Sequence, residues 1–79
     1  MTAEQIRLAL RARPFRPFTV YMGDGRSVTV RHPELAALSP GGRVMLAFDR
    51  EEAAHYIDLL LVTDMVIEKN GNPRVRGRK

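Results

Sequence analysis

The chain has 79 residues, of which 44% are hydrophobic and 28% charged, and its formal net charge is +4. A chain this short forms a single domain and buries only about 60% of its unfolded surface, too little for a core and a deep substrate cavity together. With no cysteine and two histidines, a disulfide framework, a thiolate zinc site and a histidine-rich metal site are excluded. Because no apolar run approaches the roughly 20 residues that span a bilayer, and no leader pattern is visible, we expect a small cytoplasmic protein that does not enter a membrane.

The charge is unevenly distributed along the chain. Residues 1–23 hold four arginines against one acid, whereas residues 24–69 hold five basic residues against eight acids. The last ten residues hold four basic residues and no acid, so the basic character of the protein comes mainly from its tail. We therefore expect residues 1–69 to form one domain and residues 70–79 to form a basic, disordered tail.

The first predicted element is a short helix. Thr2 and Gln5 have the spacing of a capping box, in which the two side chains bond each other's backbone. Apolar residues then recur at helical spacing. Pro14 disfavours helical geometry at the residue before it, so the helix is expected to end near Ala12. A helix of about ten residues is not stable alone and must pack on the rest of the domain.

A β-hairpin follows the helix. Apolar and polar residues alternate over residues 18–22 and again over residues 27–31, which is typical of strands with one buried face. Between them, the segment Gly23–Arg26 contains an Asp-Gly pair, which supplies the backbone conformation of tight hairpin turns. This pattern is the strongest structural signal in the sequence.

The remaining pattern predicts one helical turn at residues 35–38. Three further strands are predicted at residues 43–48, 54–60 and 65–69. In the strand at 43–48, we expect Val44, Leu46 and Phe48 to share one face. One helix followed by five short strands predicts a mainly β domain, in which an N-terminal helix precedes a five-stranded SH3-like or Sm-like small barrel. The element order resembles the Sm-like arrangement, in which a helix caps the barrel and the last two strands pair between subunits. The RNA-binding tyrosine–lysine–histidine signature of the bacterial Sm-like chaperone has no counterpart at residues 64–69.

Five segments form a distinctive pattern: ARPFRPF at 12–18, DGR at 24–26, HPE at 32–34, GR at 42–43 and IDLLLVT at 57–63. This pattern resembles that of a family of short, uncharacterised bacterial proteins that is frequent in planctomycetes. The resemblance covers most of the domain and ends before residue 70. It implies a common family and carries no particular activity.

The most enzyme-like cluster is His32 and Glu34, which could hold a metal ion only if His55 or Asp58 supplied further ligands. The favoured interpretation is structural, because Pro33 between the first two residues ends a strand. Asp58 lies among apolar neighbours, where a carboxylate must be exposed or hydrogen-bonded.

Nucleophilic and nucleotide-binding motifs are also absent. Ser27 and Ser39 lack the glycine-flanked elbow and the adjacent base of an activated serine. Gly41 and Gly42 are not followed by the lysine of a phosphate loop. We therefore predict a non-enzymatic protein with no catalytic residue, no metal and no cofactor.

The predicted function is that of an interaction and assembly module. The run around residues 57–62 is apolar on successive positions, which suggests burial on both sides or contact with a partner. We predict self-association into a homo-oligomer by pairing of an edge strand that contains Ile57, Leu59, Leu60, Leu61 and Val62. The opposite charges of the N-terminal region and the body favour a head-to-tail arrangement, and therefore rings rather than two-fold dimers.

The alternative prediction is nucleic-acid binding through clustered positive charge. The residues expected to contact phosphates of RNA or DNA are Arg7, Arg11, Arg13, Arg16, Arg74, Arg76, Arg78 and Lys79. Such contacts would be sensitive to salt and insensitive to sequence. Aromatic residues that could stack on bases are scarce around the arginines of the tail.

Overall fold

A computed structural model describes residues 2–69, which form one α-helix, six β-strands and two short 3-10 turns. The basic tail predicted at 70–79 lies outside the described residues. The elements are, in chain order, α1 (Ala3–Arg11), β1 (Phe18–Met22), β2 (Ser27–Val30), a 3-10 turn (Pro33–Leu35), β3 (Ala36–Leu38), β4 (Val44–Phe48), β5 (Ala54–Asp58), a second 3-10 turn (Leu59–Leu61) and β6 (Val62–Ile67). The protein is therefore mainly β with an N-terminal helix, as predicted.

Helix α1 begins with the predicted capping box. The backbone N–H of Gln5 donates to the Thr2 hydroxyl at 3.3 Å, and the Gln5 side chain accepts from the Thr2 backbone at 3.2 Å. The helix ends at Arg11, where Ala12 already has extended backbone angles. Ile6 and Ala9 are buried against the sheets, which provides the packing that so short a helix requires.

The hairpin of β1 and β2 is also confirmed. Phe18 lies opposite Val30, and the chain reverses through a three-residue loop. The N–H of Gly25 donates to the Met22 carbonyl at 3.0 Å. Gly25 has a φ of 96°, a backbone angle that residues with a Cβ atom rarely adopt. Asp24 accepts from the backbone N–H of Arg26 at 3.0 Å. The Asp-Gly pair therefore forms the turn that the sequence indicates.

The six strands form two three-stranded antiparallel sheets. Sheet A has the order β2-β1-β6 and sheet B the order β3-β4-β5. The buried core includes Ile6, Ala9, Phe18, Val20, Met22, Val28, Val30, Met45, Ala47, Ile57, Leu59 and Val62. Residues from α1 and from both sheets meet in this one cluster, so the helix and the two sheets fold as a unit.

Three element predictions are wrong. The helical turn expected at 35–38 is a strand, because Pro33 starts a 3-10 turn that ends at Leu35 and Ala36–Leu38 then pairs with β4. The strand expected at 54–60 ends at Asp58, whose side chain accepts from the N–H of Leu60 at 3.0 Å and closes a second 3-10 turn. The last strand consequently begins at residue 62 rather than 65.

The barrel prediction is only partly confirmed. Residues 2–69 contain six strands rather than five, and neither sheet is closed within this range. Val44, Leu46 and Phe48 do share one face of β4, as the alternation predicted. The fully buried face of that strand, however, carries Met45 and Ala47.

Candidate interaction surface at the β5 edge

Strand β5 lies at the edge of sheet B, with β4 as its only neighbour among the strands of residues 2–69. Two backbone hydrogen bonds bracket the β4–β5 ladder. The N–H of Leu59 donates to the Arg43 carbonyl at 3.0 Å, and the N–H of Asp49 donates to the Ala53 carbonyl at 3.1 Å. In an antiparallel pair, alternate residues bond to the neighbour and the intervening ones point away from it. The residues whose backbone groups point away from β4 are therefore Ala54, Tyr56 and Asp58.

The same alternation places an apolar surface on the side of sheet B opposite the core. Tyr56 is 78% exposed and lies opposite Leu46 of β4, which in turn lies opposite Ala37 of β3. Phe48 lies opposite Ala54. We call this surface the outer face of sheet B; its apolar residues are Ala37, Val44, Leu46, Phe48, Ala54 and Tyr56, and Asp58 lies at its border, opposite Val44. Its three β4 residues are half-buried, and they are not among the hydrophobic side chains packed against the core of residues 2–69.

The run after β5 divides between the core and the surface. Ile57, Leu59 and Val62 are buried, whereas Leu60 is 80% exposed and Leu61 57% exposed. The 3-10 turn causes this division, because its tight winding points Leu59 inward and the next two leucines outward. Of the five residues predicted to form a self-association edge, the structure therefore exposes only the two leucines of the turn.

Sequence reasoning missed the central residues of this surface. Val44–Phe48 is a run of five consecutive apolar residues, and such a run forms a strand with two apolar faces. The signal is the same as that of the apolar run at residues 59–62. Tyr56 was missed because its exposure depends on the face that β5 turns to the core.

The β4–β5 turn that presents this edge is held by one carboxylate. Asp49 accepts hydrogen bonds from the backbone N–H groups of Glu51 and Ala53, at 2.9 and 3.0 Å. Its other oxygen lies 2.9 Å from Nε2 of His55. Two hydrogen bonds lower the pKa of Asp49 below its ordinary value of 3.8: the one from His55, which has the larger effect, and the one from the backbone of Ala53. The side chain of His55 is thus engaged in holding the turn.

The residues considered for metal binding do not come together. His32 and Glu34 are exposed where the first 3-10 turn begins, and His55 pairs with Asp49 instead. Within residues 2–69, no three histidine, aspartate or glutamate side chains are grouped as a metal site would need. The hydroxyl of Ser39 accepts from the backbone N–H groups of residues 43 and 44, a structural role in the β3–β4 turn.

The N-terminal arginines are distributed over separate surfaces. Arg7 forms an ion pair with Glu4 at 3.0 Å. Arg11 and Arg13 line one groove, and Arg16 lines another, beside α1 and β6. The tail residues Arg74, Arg76, Arg78 and Lys79 lie outside the described residues.

No protein-family model, curated protein or solved structure matches the chain. Across residues 2–69, no helix has both the length and the apolar character needed to cross a membrane.

Proposed function

We propose that this protein is a non-enzymatic interaction and assembly module that associates with copies of itself by strand pairing along β5. The observation that carries the proposal is the edge itself. Three residues of β5 direct backbone N–H and C=O groups away from β4, and the central one, Tyr56, has a side chain that is 78% exposed. An exposed strand edge of this kind is a template for a further strand.

The other three edges of the two sheets each carry features that hinder strand pairing. Strand β3 has only three residues, and β2 is flanked by Arg26 and Arg31. Strand β6 contains Asp64 and borders the groove beside α1. Short strands, charges and covering elements are the usual devices that block edge pairing. Strand β5 contains no lysine, arginine or proline, its one carboxylate is Asp58 at its end, and Met22 and Arg26 line the groove beside it.

The apolar outer face of sheet B extends the edge into a broader surface. Leu46 and Phe48 lie beside the edge residues with which they pair across the sheet. Leu60 and Leu61 are exposed directly after β5. A strand added to β5 would therefore find apolar side chains next to the backbone groups that it bonds, and burying them would add to the hydrogen bonding.

We also propose that the two sheets together form a half-open small barrel of the SH3-like or Sm-like type. Two features support it. The first strand, β1, pairs with the last strand, β6, as well as with β2. The 3-10 turn at Leu59–Leu61 leads directly from the edge of sheet B into sheet A. In such a barrel, β5 would border the gap between the two sheets.

The two tyrosines of the chain provide a matched test of the proposed function. Tyr56→Lys places a charge at the β5 edge, whereas Tyr21→Lys makes the same change on β1, the central strand of sheet A. We expect light scattering over a concentration series to show an oligomer for the natural chain and for Tyr21→Lys, and a monomer for Tyr56→Lys. Circular dichroism should show that both variants are folded. A natural chain that stays monomeric at every concentration would contradict the proposed function.

Nucleic-acid binding is the second candidate, and one observation favours it. Arg11, Arg13 and Arg16 are exposed, and within residues 2–69 they form no ion pair. Their separation over two grooves weakens the case for one continuous phosphate-binding surface. The same scattering samples decide between the candidates. Nucleic acid that accompanies the protein at low salt and leaves at high salt would favour the second one.

A further inference from the structure

We infer that the partner strand is β5 of a second copy, paired antiparallel about a two-fold axis at Tyr56. This inference rests on the proposed function and specifies the occupant of the edge. The residues that point backbone groups outward are Ala54, Tyr56 and Asp58, which are evenly spaced about Tyr56. An edge of this kind can pair with an identical copy of itself through a symmetric, isologous contact.

The hydrogen-bond pattern restricts the register of the two copies. Antiparallel strands exchange bonds between residues that both point toward the interface, so a shift by one residue would oppose outward and inward groups. With Tyr56 opposite Tyr56 of the second copy, Ala54 of each chain lies opposite Asp58 of the other. The Tyr56 pair exchanges two backbone hydrogen bonds, and in each flanking pair the N–H of Asp58 donates to the Ala54 carbonyl, because the Asp58 carbonyl begins the 3-10 turn of its own chain.

Charge separates this register from its neighbours. A shift of one strand by two residues in one direction opposes Asp58 of each copy to Glu52, in the β4–β5 turn, of the other, and like charges in directly opposite positions destabilise a sheet. A shift by two in the other direction opposes Tyr56 of each copy to Asp58 of the other, which loses the Tyr56 pair and brings the two Asp58 carboxylates to about 7 Å apart along the strands. In the register centred on Tyr56, Asp58 lies opposite the small, neutral Ala54. The two Asp58 carboxylates are then about 14 Å apart along the strands.

The central pair also provides side-chain contact. The two Tyr56 rings lie on the same side of the joined sheet and form a cross-strand aromatic pair. Leu46 of each copy lies beside them, so the outer faces of the two sheets become one apolar surface on six strands. Five residues per strand cover less than the roughly 800 Å² per partner of a standard interface. The dimer is therefore weak and depends on protein concentration.

This geometry replaces the head-to-tail arrangement suggested by charge distribution along the sequence. The opposite charges of the N-terminal region and the body describe the whole molecule. Strand β5 itself has one carboxylate and neither lysine nor arginine, and Arg26 lines the groove beside it; its outward residues are evenly spaced about Tyr56, so the edge can match a copy of itself. A self-complementary edge closes as a two-fold dimer and leaves no edge for ring growth.

The absence of cysteine makes the register directly testable by disulfide trapping. Directly opposite residues that exchange hydrogen bonds have Cα atoms about 5.5 Å apart, within the range of disulfides. We expect Tyr56→Cys to form a covalent dimer under mild oxidation at least about tenfold faster than Ala54→Cys, because its two thiols are held together. In Ala54→Cys the two sites are about 14 Å apart along the strands. The double variant Ala54→Cys with Asp58→Cys should also cross-link, while Tyr56 remains in place.

The outcomes distinguish the inference from the proposed function. Rapid cross-linking of Tyr56→Cys and of the double variant, with slow cross-linking of Ala54→Cys, supports the two-fold register. The natural chain could instead be an oligomer in light scattering while Tyr56→Cys and the double variant cross-link no faster than Ala54→Cys. That result overturns the two-fold register and leaves the proposed function intact. A natural chain that remains monomeric and variants that all cross-link equally slowly overturn both.

Discussion

The two sheets of this small domain differ in how their faces are used. In sheet A, β1 alternates strictly: Phe18, Val20 and Met22 are buried, while Thr19 and Tyr21 lie on the other side. The hydroxyl of Thr19 is 2.8 Å from that of Thr29, so the outer face of sheet A carries a polar cross-strand pair.

Sheet B does not alternate in the same way. Its central strand, β4, is apolar at every position, with Met45 and Ala47 in the core and Val44, Leu46 and Phe48 on the outer face. One-sided burial requires alternation, whereas a strand that is apolar throughout favours contact on both faces. Sheet A also exposes Val66 and Ile67 of β6, but the strand that is apolar throughout belongs to sheet B, where we place the proposed interface.

The largest expected effect is a difference in stability between substitutions of two adjacent leucines at the junction of the sheets. Leu59 is 2% exposed and Leu60 is 80% exposed. Leu59→Asp would bury an unpaired charge and should unfold the domain, because a penalty of several kcal/mol is comparable with the whole stability of a small domain. Leu60→Asp should change the free energy of unfolding by less than about 1 kcal/mol. Urea titration followed by circular dichroism measures both, and similar losses would contradict the division of this run between core and surface.

A second comparison uses one phenylalanine from each sheet. Phe18 is fully buried in sheet A, whereas Phe48 is half-buried on the outer face of sheet B. Phe18→Ala should lower the free energy of unfolding by about 3–5 kcal/mol, the usual cost of emptying a core position. Phe48→Ala should cost less than half as much, since the side chain does not fill the core. Denaturant titration at a concentration where the chain is monomeric provides the measurement. Equal costs would mean that the outer face of sheet B is part of the core.

The smallest effect concerns the β1–β2 and β4–β5 turns, each of which is held by an aspartate. The backbone hydrogen bond from Arg26 lowers the pKa of Asp24, and the hydrogen bond from His55 lowers that of Asp49. A carboxylate whose pKa is lower in the folded than in the unfolded chain adds stability above its ordinary value of 3.8, and this stability is lost as pH falls below it.

We therefore expect Asp49→Asn to reduce the loss of stability between pH about 5 and pH about 2, with a smaller reduction for Asp24→Asn. The order follows from the number of partners: Asp49 accepts two backbone N–H groups and pairs with His55, while both hydrogen bonds of Asp24 come from Arg26. Thermal unfolding across that pH range tests the order. An unchanged pH profile in Asp49→Asn would show that the turn does not depend on the charged carboxylate.

Part of the candidate surface was predictable from the sequence. Leu60 and Leu61 belong to the predicted self-association run, and both are exposed. The remainder of that run is core, because a 3-10 turn capped by Asp58 interrupts the expected strand. Tyr56, at the centre of the edge, was not predicted, since nothing in the alternation of β5 states which of its faces meets the core.

The sequence by itself determined the helix and the first hairpin. The capping box of Thr2 and the turn at Asp24 and Gly25 act over two to four residues, so their signals are complete in the local sequence. The tertiary structure decided which face of β4 is buried and that Ala36–Leu38 is a strand. A run that is apolar at every position contains no information about its inward face, and a three-residue strand exists only because a distant segment pairs with it. Both decisions depend on contacts between residues far apart in the chain, which local patterns cannot encode.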